Sequence, residues 1–214
     1  GRAAAVVRLR NVTPQMPLAQ LRSEQVNRFV SVRATVTRVS GVKPLVVGAA
    51  FSCAKCGAGE AEGDDGLRAT FIDGKYAPPT CCVAGDCKAR SFDVKRSTAV
   101  AVDFQRLKVQ QQFDGPDGGA GGDDGAGRVP RHLEVECRGA ALVDACVPGD
   151  VVVVGGVLRC VNSAVAAGRR DKRAMATATA VLYMDANSVV NVSREAERGV
   201  AEGGGGGALV AADD

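Results

Sequence analysis

The chain has 214 residues, 46% of them hydrophobic but only 4% aromatic, with no Trp and a formal charge of +3. That length supports one or two domains with a real core. No apolar run is long enough to span a membrane and no signal peptide opens the sequence, which argues against a membrane or secreted protein and for a reducing compartment. The small net charge hides an asymmetry: residues 1–50 hold eight Arg or Lys against one acid, Glu24. The acids gather at Glu60 to Asp65, at Asp114 to Asp124 and after Glu195. A basic front with acidic loops suits an anionic partner met by one face, or simply a solvated surface.

Residues 1–29 form the first segment. Leu18, Leu21, Val26 and Phe29 follow Pro14 and Pro17, a spacing that fits a short helix or two laid on a core. From Val30 the pattern changes to strict alternation. Val30, Val32, Ala34 and Val36 face one way, with Ser31, Arg33, Thr35 and Thr37 the other, which predicts a half-buried strand ended by Ser40-Gly41. Leu45 to Phe51 is a second strand.

That strand leads into Cys53-Ala-Lys-Cys56, and 25 residues further on comes Cys82-Val-Ala-Gly-Asp-Cys87. Two close pairs at this range read as a tetrahedral zinc site, because the ion needs four converging thiolates and a straight strand cannot supply them. Gly57 leaves the chain free to take positive φ after Cys56. Pro78 and Pro79 turn it before the second pair. A redox Cys-x-x-Cys normally opens a helix, whereas this one runs into Gly and acidic loop residues. Disulfides and plain burial are the other rivals. Cys81 is a spare that could stand in for Cys82 at a less usual spacing. Cys137, Cys146 and Cys160 lie singly among apolar residues and read as core.

Leu67 to Ile72 with the Asp73-Gly74 turn suggests a small hairpin. Ser91 to Phe104 is another strand, and Arg106 to Gln111 continues extended. Asp114 to Gly127 holds four Asp and seven Gly and no base, so it reads as a loop. Val129 to Cys137 alternates again. Val151 to Cys160 is apolar enough for a buried strand, with Gly155-Gly156 marking a bulge or bend. Val161 to Arg173 is a basic connection, and Ala174 to Met184 a last strand. Residues 193–214 contain five consecutive Gly and read as a linker. The sum is a mainly β chain: an OB-type barrel over 30–51 and 93–192, a zinc-ribbon subdomain inserted at 52–92, and a short helical part in front.

No catalytic constellation is visible. The single His132 stands on a predicted strand as a surface or packing residue, and no Walker A loop occurs. A site closed by four thiolates leaves no position for water and is structural. Binding is the better reading, since OB barrels hold single-stranded nucleic acid with basic grooves and aromatic platforms. The basic candidates are Arg33, Arg38 and Lys43 on the first strand pair and Arg169, Arg170, Lys172 and Arg173 at the tip of a long hairpin between the last two strands. Phe104 and Phe113 are the only candidate stackers, so phosphate contacts should dominate.

Several blocks, taken in order, carry a family resemblance. They are Val32 to Leu45, Phe51 to Gly57, Asp73-Gly-Lys-Tyr76, the second cysteine pair, Arg90-Ser-Phe92, Asp103 to Gln110, Val129-Pro-Arg131 and Leu142 to Asp150. Together they resemble the N-terminal domain of the minichromosome maintenance (MCM) helicases, nearest to the branch associated with recombination repair. The resemblance implies a helical subdomain (truncated here), a zinc-binding subdomain and an OB-fold, with zinc on Cys53, Cys56, Cys82 and Cys87. It implies a homo- or hetero-hexameric ring, with minichromosome maintenance protein nine as partner, around single-stranded and also duplex DNA. The basic hairpin would reach into the ring's channel. ATP and Mg²⁺ would serve only an AAA+ motor that this chain lacks, so the chain itself is not expected to be an enzyme. The setting implied is nuclear, in homologous recombination, double-strand break and crosslink repair. The rival from another class is a structural oligomerisation module without direct DNA contact.

Overall fold

A computed structural model of the protein describes residues 6–10, 12–60, 67–71, 76–112, 130–162 and 179–194. The strands are β1 (Phe29–Val39), β2 (Lys43–Cys53), β3 (Arg68–Thr70), β4 (Phe92–Gln111), β5 (His132–Arg138), β6 (Val151–Asn162) and β7 (Ala180–Asn191). The chain divides into two compact units. One holds the residues up to Gly41, Gln105–Cys137 and the chain from Ala141; the other holds Val42–Phe104 with Arg138–Ala140. Strand β4 changes unit at Gln105.

In the first unit hydrogen bonding runs β1-β6-β7-β5-β4, and β4 returns to β1. The ring is closed, so none of its five strands presents an unpaired edge. Numbered within the barrel, β1, β4, β5, β6 and β7 are strands one to five in the order 1-4-5-3-2-1. The β5–β7 pair is parallel and the β1–β4, β1–β6 and β6–β7 pairs are antiparallel. This is OB topology. Alternation explains the core: Val32, Ala34 and Val36 of β1, Leu107 and Val109 of β4, Val135 and Cys137 of β5, Val152, Val154 and Leu158 of β6 and Met184 of β7 all turn inward. Among the described residues before β1 the helical parts are two 3-10 turns, Leu18–Gln20 and Ser23–Gln25, and Leu18 and Leu21 plug the core.

Two sequence expectations need adjusting, and a third holds. β7 runs on to Asn191 rather than stopping near Met184, because Ser188 and Asn191 are buried with hydrogen-bond partners. The bulge is where the paired glycines suggest it: Gly155 opposes Ser188 while Gly156 opposes Ala186, leaving Asn187 of β7 as the extra residue. Cys160 is exposed, unlike Cys137 and Cys146, because it falls near the end of β6 beyond the buried run. Burial pushes the Cys137 thiol up to about 12 and the Cys146 thiol up to about 11, as expected of inert core cysteines.

A buried glutamine holds one end of the barrel. Gln105 is 2% exposed. Its amide donates to the Ser40 carbonyl and to Asp144 Oδ1, both at 3.0 Å, and its oxygen accepts from the Asp144 N–H at 2.9 Å. That grip holds Asp144 at φ 54, a left-handed conformation that Asp tolerates. Replacing Gln105 by Leu should remove all three bonds and cost about 2–3 kcal/mol. A urea titration should show a lower midpoint with little change in slope.

In the second unit β2 lies between β3 and the first part of β4. β3 pairs with β2 across the first cysteine loop, and the Asp73-Gly74 turn falls outside the described residues. Ala49, Phe51, Cys53, Leu67 and Phe71 form a small core. The Phe51, Phe71 and Tyr76 rings meet with centroids 5.3–6.3 Å apart. Among the described residues no helix is long and apolar enough to cross a membrane.

Candidate metal centre and nucleic-acid interface

The first cysteine pair sits on a knuckle at the end of β2. Cys53 N–H donates to the Ala58 carbonyl at 2.8 Å and Gly57 N–H to the Cys53 carbonyl at 3.0 Å. Gly57 takes φ 69 and Gly59 φ 83. At Gly59 a Cβ would strike the Phe51 carbonyl oxygen, so this turn needs glycine on two counts. The second pair sits on a turn closed by Cys87 N–H donating to the Ala84 carbonyl at 2.9 Å.

The two turns bring the Sγ atoms of Cys53, Cys56, Cys82 and Cys87 within 4.8 Å of one another. Cys53 and Cys87 sulfurs are 3.8 Å apart, and those of Cys56 and Cys82 3.5 Å. A tetrahedron with metal–sulfur bonds of about 2.3 Å has edges of about 3.8 Å, so the spacing fits one ion held by four thiolates. Cys82 fills the position. Cys81 is exposed and stands outside the group.

Electrostatics agree with that geometry. Backbone N–H groups of Cys56 and Lys55 point at the Cys53 sulfur and hold its thiol down to about 6. The Ala84 N–H pulls the Cys82 thiol the same way, but burial and the neighbouring sulfurs outweigh it and push that thiol up to about 12. The Cys87 thiol also rises, against the pull of the Ala89 N–H, through burial and the sulfurs of Cys56 and Cys53. Four crowded thiols cannot all ionise alone, and a divalent cation among them removes that conflict.

The predicted basic residues separate. Arg169, Arg170, Lys172 and Arg173 lie outside the described residues, as do Phe113 and the acidic loop at 114–127. Lys43 is exposed on β2 in the second unit, where it pairs with Phe104 of β4. Arg33 and Arg38 are exposed on the barrel's outer wall. Arg33 borders a cleft of about 290 Å³ with Gln111 and Gln112.

Arg38 gains neighbours that sequence reasoning missed. An irregularity in β1 between Val36 and Arg38 sets Arg38 directly across from Lys108 of β4. Both line a cleft of about 330 Å³ with Ser40, Arg106 and Glu134. Arg106 also donates to Glu136 Oε1 at 3.0 Å. Like charges placed directly opposite across strands oppose pairing, and an anion seated between them would relieve that. The alternation of Arg106 and Lys108 with buried Leu107 and Val109 is visible in the sequence. Their meeting with Arg38, some seventy positions away, depends on the strand register.

The relatives fit this architecture. The chain is 41% identical over 191 residues to the DNA helicase MCM8 of Xenopus tropicalis, an alignment covering 86% of this chain and 20% of that protein. Against the probable DNA helicase MCM8 of Arabidopsis thaliana the identity is 37% over 190 residues, covering 88% and 22%. Against human DNA helicase MCM8 it is 35% over 188 residues, covering 86% and 20%. The chain thus spans about a fifth of the length of the curated relatives it matches. Residues 17–162 match the family model of the MCM OB domain, covering all of β1 to β6. With its closed barrel and a four-cysteine unit carried between the first two barrel strands, this chain belongs to the MCM OB domain family.

Proposed function

We propose that this chain is the DNA-binding, ring-assembling N-terminal part of an ATP-dependent helicase of the MCM8 kind, acting in the nucleus in homologous recombination and in break and crosslink repair. The observation that carries DNA binding is the cationic cleft of Arg38, Arg106 and Lys108 on the outer wall of a closed OB barrel. OB barrels contact oligonucleotides through strands two and three and through the loops joining strands one to two and four to five. Here Arg106 and Lys108 lie on barrel strand two. The one-to-two connection is the cysteine unit, and the four-to-five connection carries Arg169, Arg170, Lys172 and Arg173.

The ion is zinc, since four thiolates in a tetrahedron leave no open position and suit a structural site. The ring is hexameric, with minichromosome maintenance protein nine as the partner subunit. ATP hydrolysis belongs to sequence beyond these 214 residues, which contain no Walker A loop.

Binding of a labelled single-stranded oligonucleotide, titrated against salt, tests the reading. Affinity should fall steeply with salt, with a log–log slope that shrinks by about 0.7 for each phosphate contact removed. Arg38→Ala with Lys108→Ala should weaken binding and flatten the slope by about 1.4, and Arg169→Ala with Arg170→Ala should do likewise. The rival reading, assembly without DNA contact, draws on the exposed Val42, Val46 and Val100 of the second unit. A slope that none of these substitutions moves would favour that rival.

A further inference from the structure

The outer wall of β1, β6 and β7 carries buried residues that do not belong to the barrel core. Ser31, Gly155 and Ser188 are cross-strand partners in one row, with Val153 and Val190 paired in the next. Ser31, Ser188, Val153 and Val190 are all buried, yet all lie outside the core cluster. Small residues along the first row leave a shallow trough.

The N-terminal segment lies in that trough. Asn187, the extra residue of the β7 bulge, clamps it through one side-chain amide. Its Oδ1 accepts from the Leu9 N–H at 2.7 Å and its Nδ2 donates to the Val7 carbonyl at 2.9 Å. The Ser188 hydroxyl donates to the Leu9 carbonyl, and Arg8 Nη1 donates to the Asn187 carbonyl at 2.8 Å. Further along, Met16 N–H donates to the Ser31 carbonyl at 2.7 Å. The clamp touches the main chain on both sides of Arg8, as a neighbouring strand would. The side chains of Val7 and Leu9 stay 73% and 47% exposed. Among the described residues the buried Ser31 hydroxyl has no partner, leaving a further polar group in the trough for a main chain.

We propose that this wall is a peptide-docking groove that reads main chain rather than side chains, with Val7–Leu9 as its resident. The bulge aims Asn187 out of the ladder, and the amide then supplies the donor and acceptor that an added strand would offer. Because no apolar side chain anchors the resident, it is held by a few hydrogen bonds and is exchangeable for another extended segment.

Leu9→Pro removes the N–H that Asn187 receives while leaving the groove intact. A fluorescent peptide with the sequence of residues 5–10 should bind the Leu9→Pro chain by anisotropy. It should bind at least tenfold more weakly to the unaltered chain and to Leu9→Pro combined with Asn187→Ala. A peptide with Ser in place of Val7 and Leu9 should bind within about threefold of the first. As a check independent of Leu9→Pro, Asn187→Ala in the otherwise unaltered chain should speed exchange of the Leu9 amide at least tenfold and leave β6 amides unchanged. Failure of the peptide to bind, binding indifferent to Asn187, a tenfold loss on changing the two side chains, or an unaltered Leu9 exchange rate would each overturn the proposal.

Discussion

Serine in place of Cys53 is expected to empty the cysteine centre and unfold the unit built around it. Among the described residues that unit's core cluster holds five buried side chains, and one of them, Cys53, is itself a member of the four-sulfur group. A core so small does not hold a chain of this length by apolar burial alone, so the ion's binding energy becomes folding energy. Metal analysis should fall from one ion per chain to near none for Cys53→Ser, and amide protection in β2 and β3 should vanish with it. Cys82→Ser should behave the same way, whereas Cys81→Ser should keep its full metal content because Cys81 stands apart from the cluster. Chelation of the unaltered chain should reproduce the loss in this unit and leave the barrel's protection in place. The assignment fails if Cys81→Ser loses metal while Cys82→Ser retains it, or if β2 keeps its protection without an ion.

That contrast also shows what a linear sequence reveals. Close pairs of cysteines declare their chemistry because ligand spacing is local, and the strict alternation of Val30 to Thr37 declares a strand for the same reason. Features set by register are not local. Nothing near Arg38 says that it will face Lys108, because an irregularity in β1 decides the partner. β3 pairs with β2, a partner more than fifteen positions away that its own residues do not announce. Beyond Met184 the polar Asp185, Asn187, Ser188 and Asn191 give no strand signal of their own. They extend the strand instead because a bulge and the N-terminal strap give Asn187 and Ser188 partners, and Asp150 gives Asn191 one. Cys160 resembles Cys137 in its apolar neighbours and shares the inward parity of Leu158, yet it is exposed, since it falls past the buried run of β6.

The paired glycines of β6 should respond unequally to alanine, with Gly156→Ala far the worse. Both sit in extended backbone, so neither gains from glycine's conformational freedom, and the difference comes from what a new Cβ meets. At Gly155 the nearest atoms are Ser188 Oγ at 2.9 Å and Phe29 Cζ at 3.2 Å, the ends of side chains that can turn aside. The cost is chiefly the Ser188 bond to the Leu9 carbonyl, about 1 kcal/mol. Loss of unfolded-state freedom returns about half of that. At Gly156 a Cβ would drive into the Asp185 carbonyl oxygen and approach the Ala186 Cα at 3.0 Å, both backbone atoms, with Met184 Cγ at 3.0 Å behind them. Backbone cannot rotate out of the way, so β6 and β7 must separate at the bulge, where the ladder is already irregular. A cost of about 3 kcal/mol or more follows from overpacking of this kind. Hydrogen exchange along β6 and β7 should rise roughly a hundredfold in Gly156→Ala and no more than a few-fold in Gly155→Ala. Equal effects at the two positions would mean that the close approach of the two strands at Gly156 is not what closes the barrel.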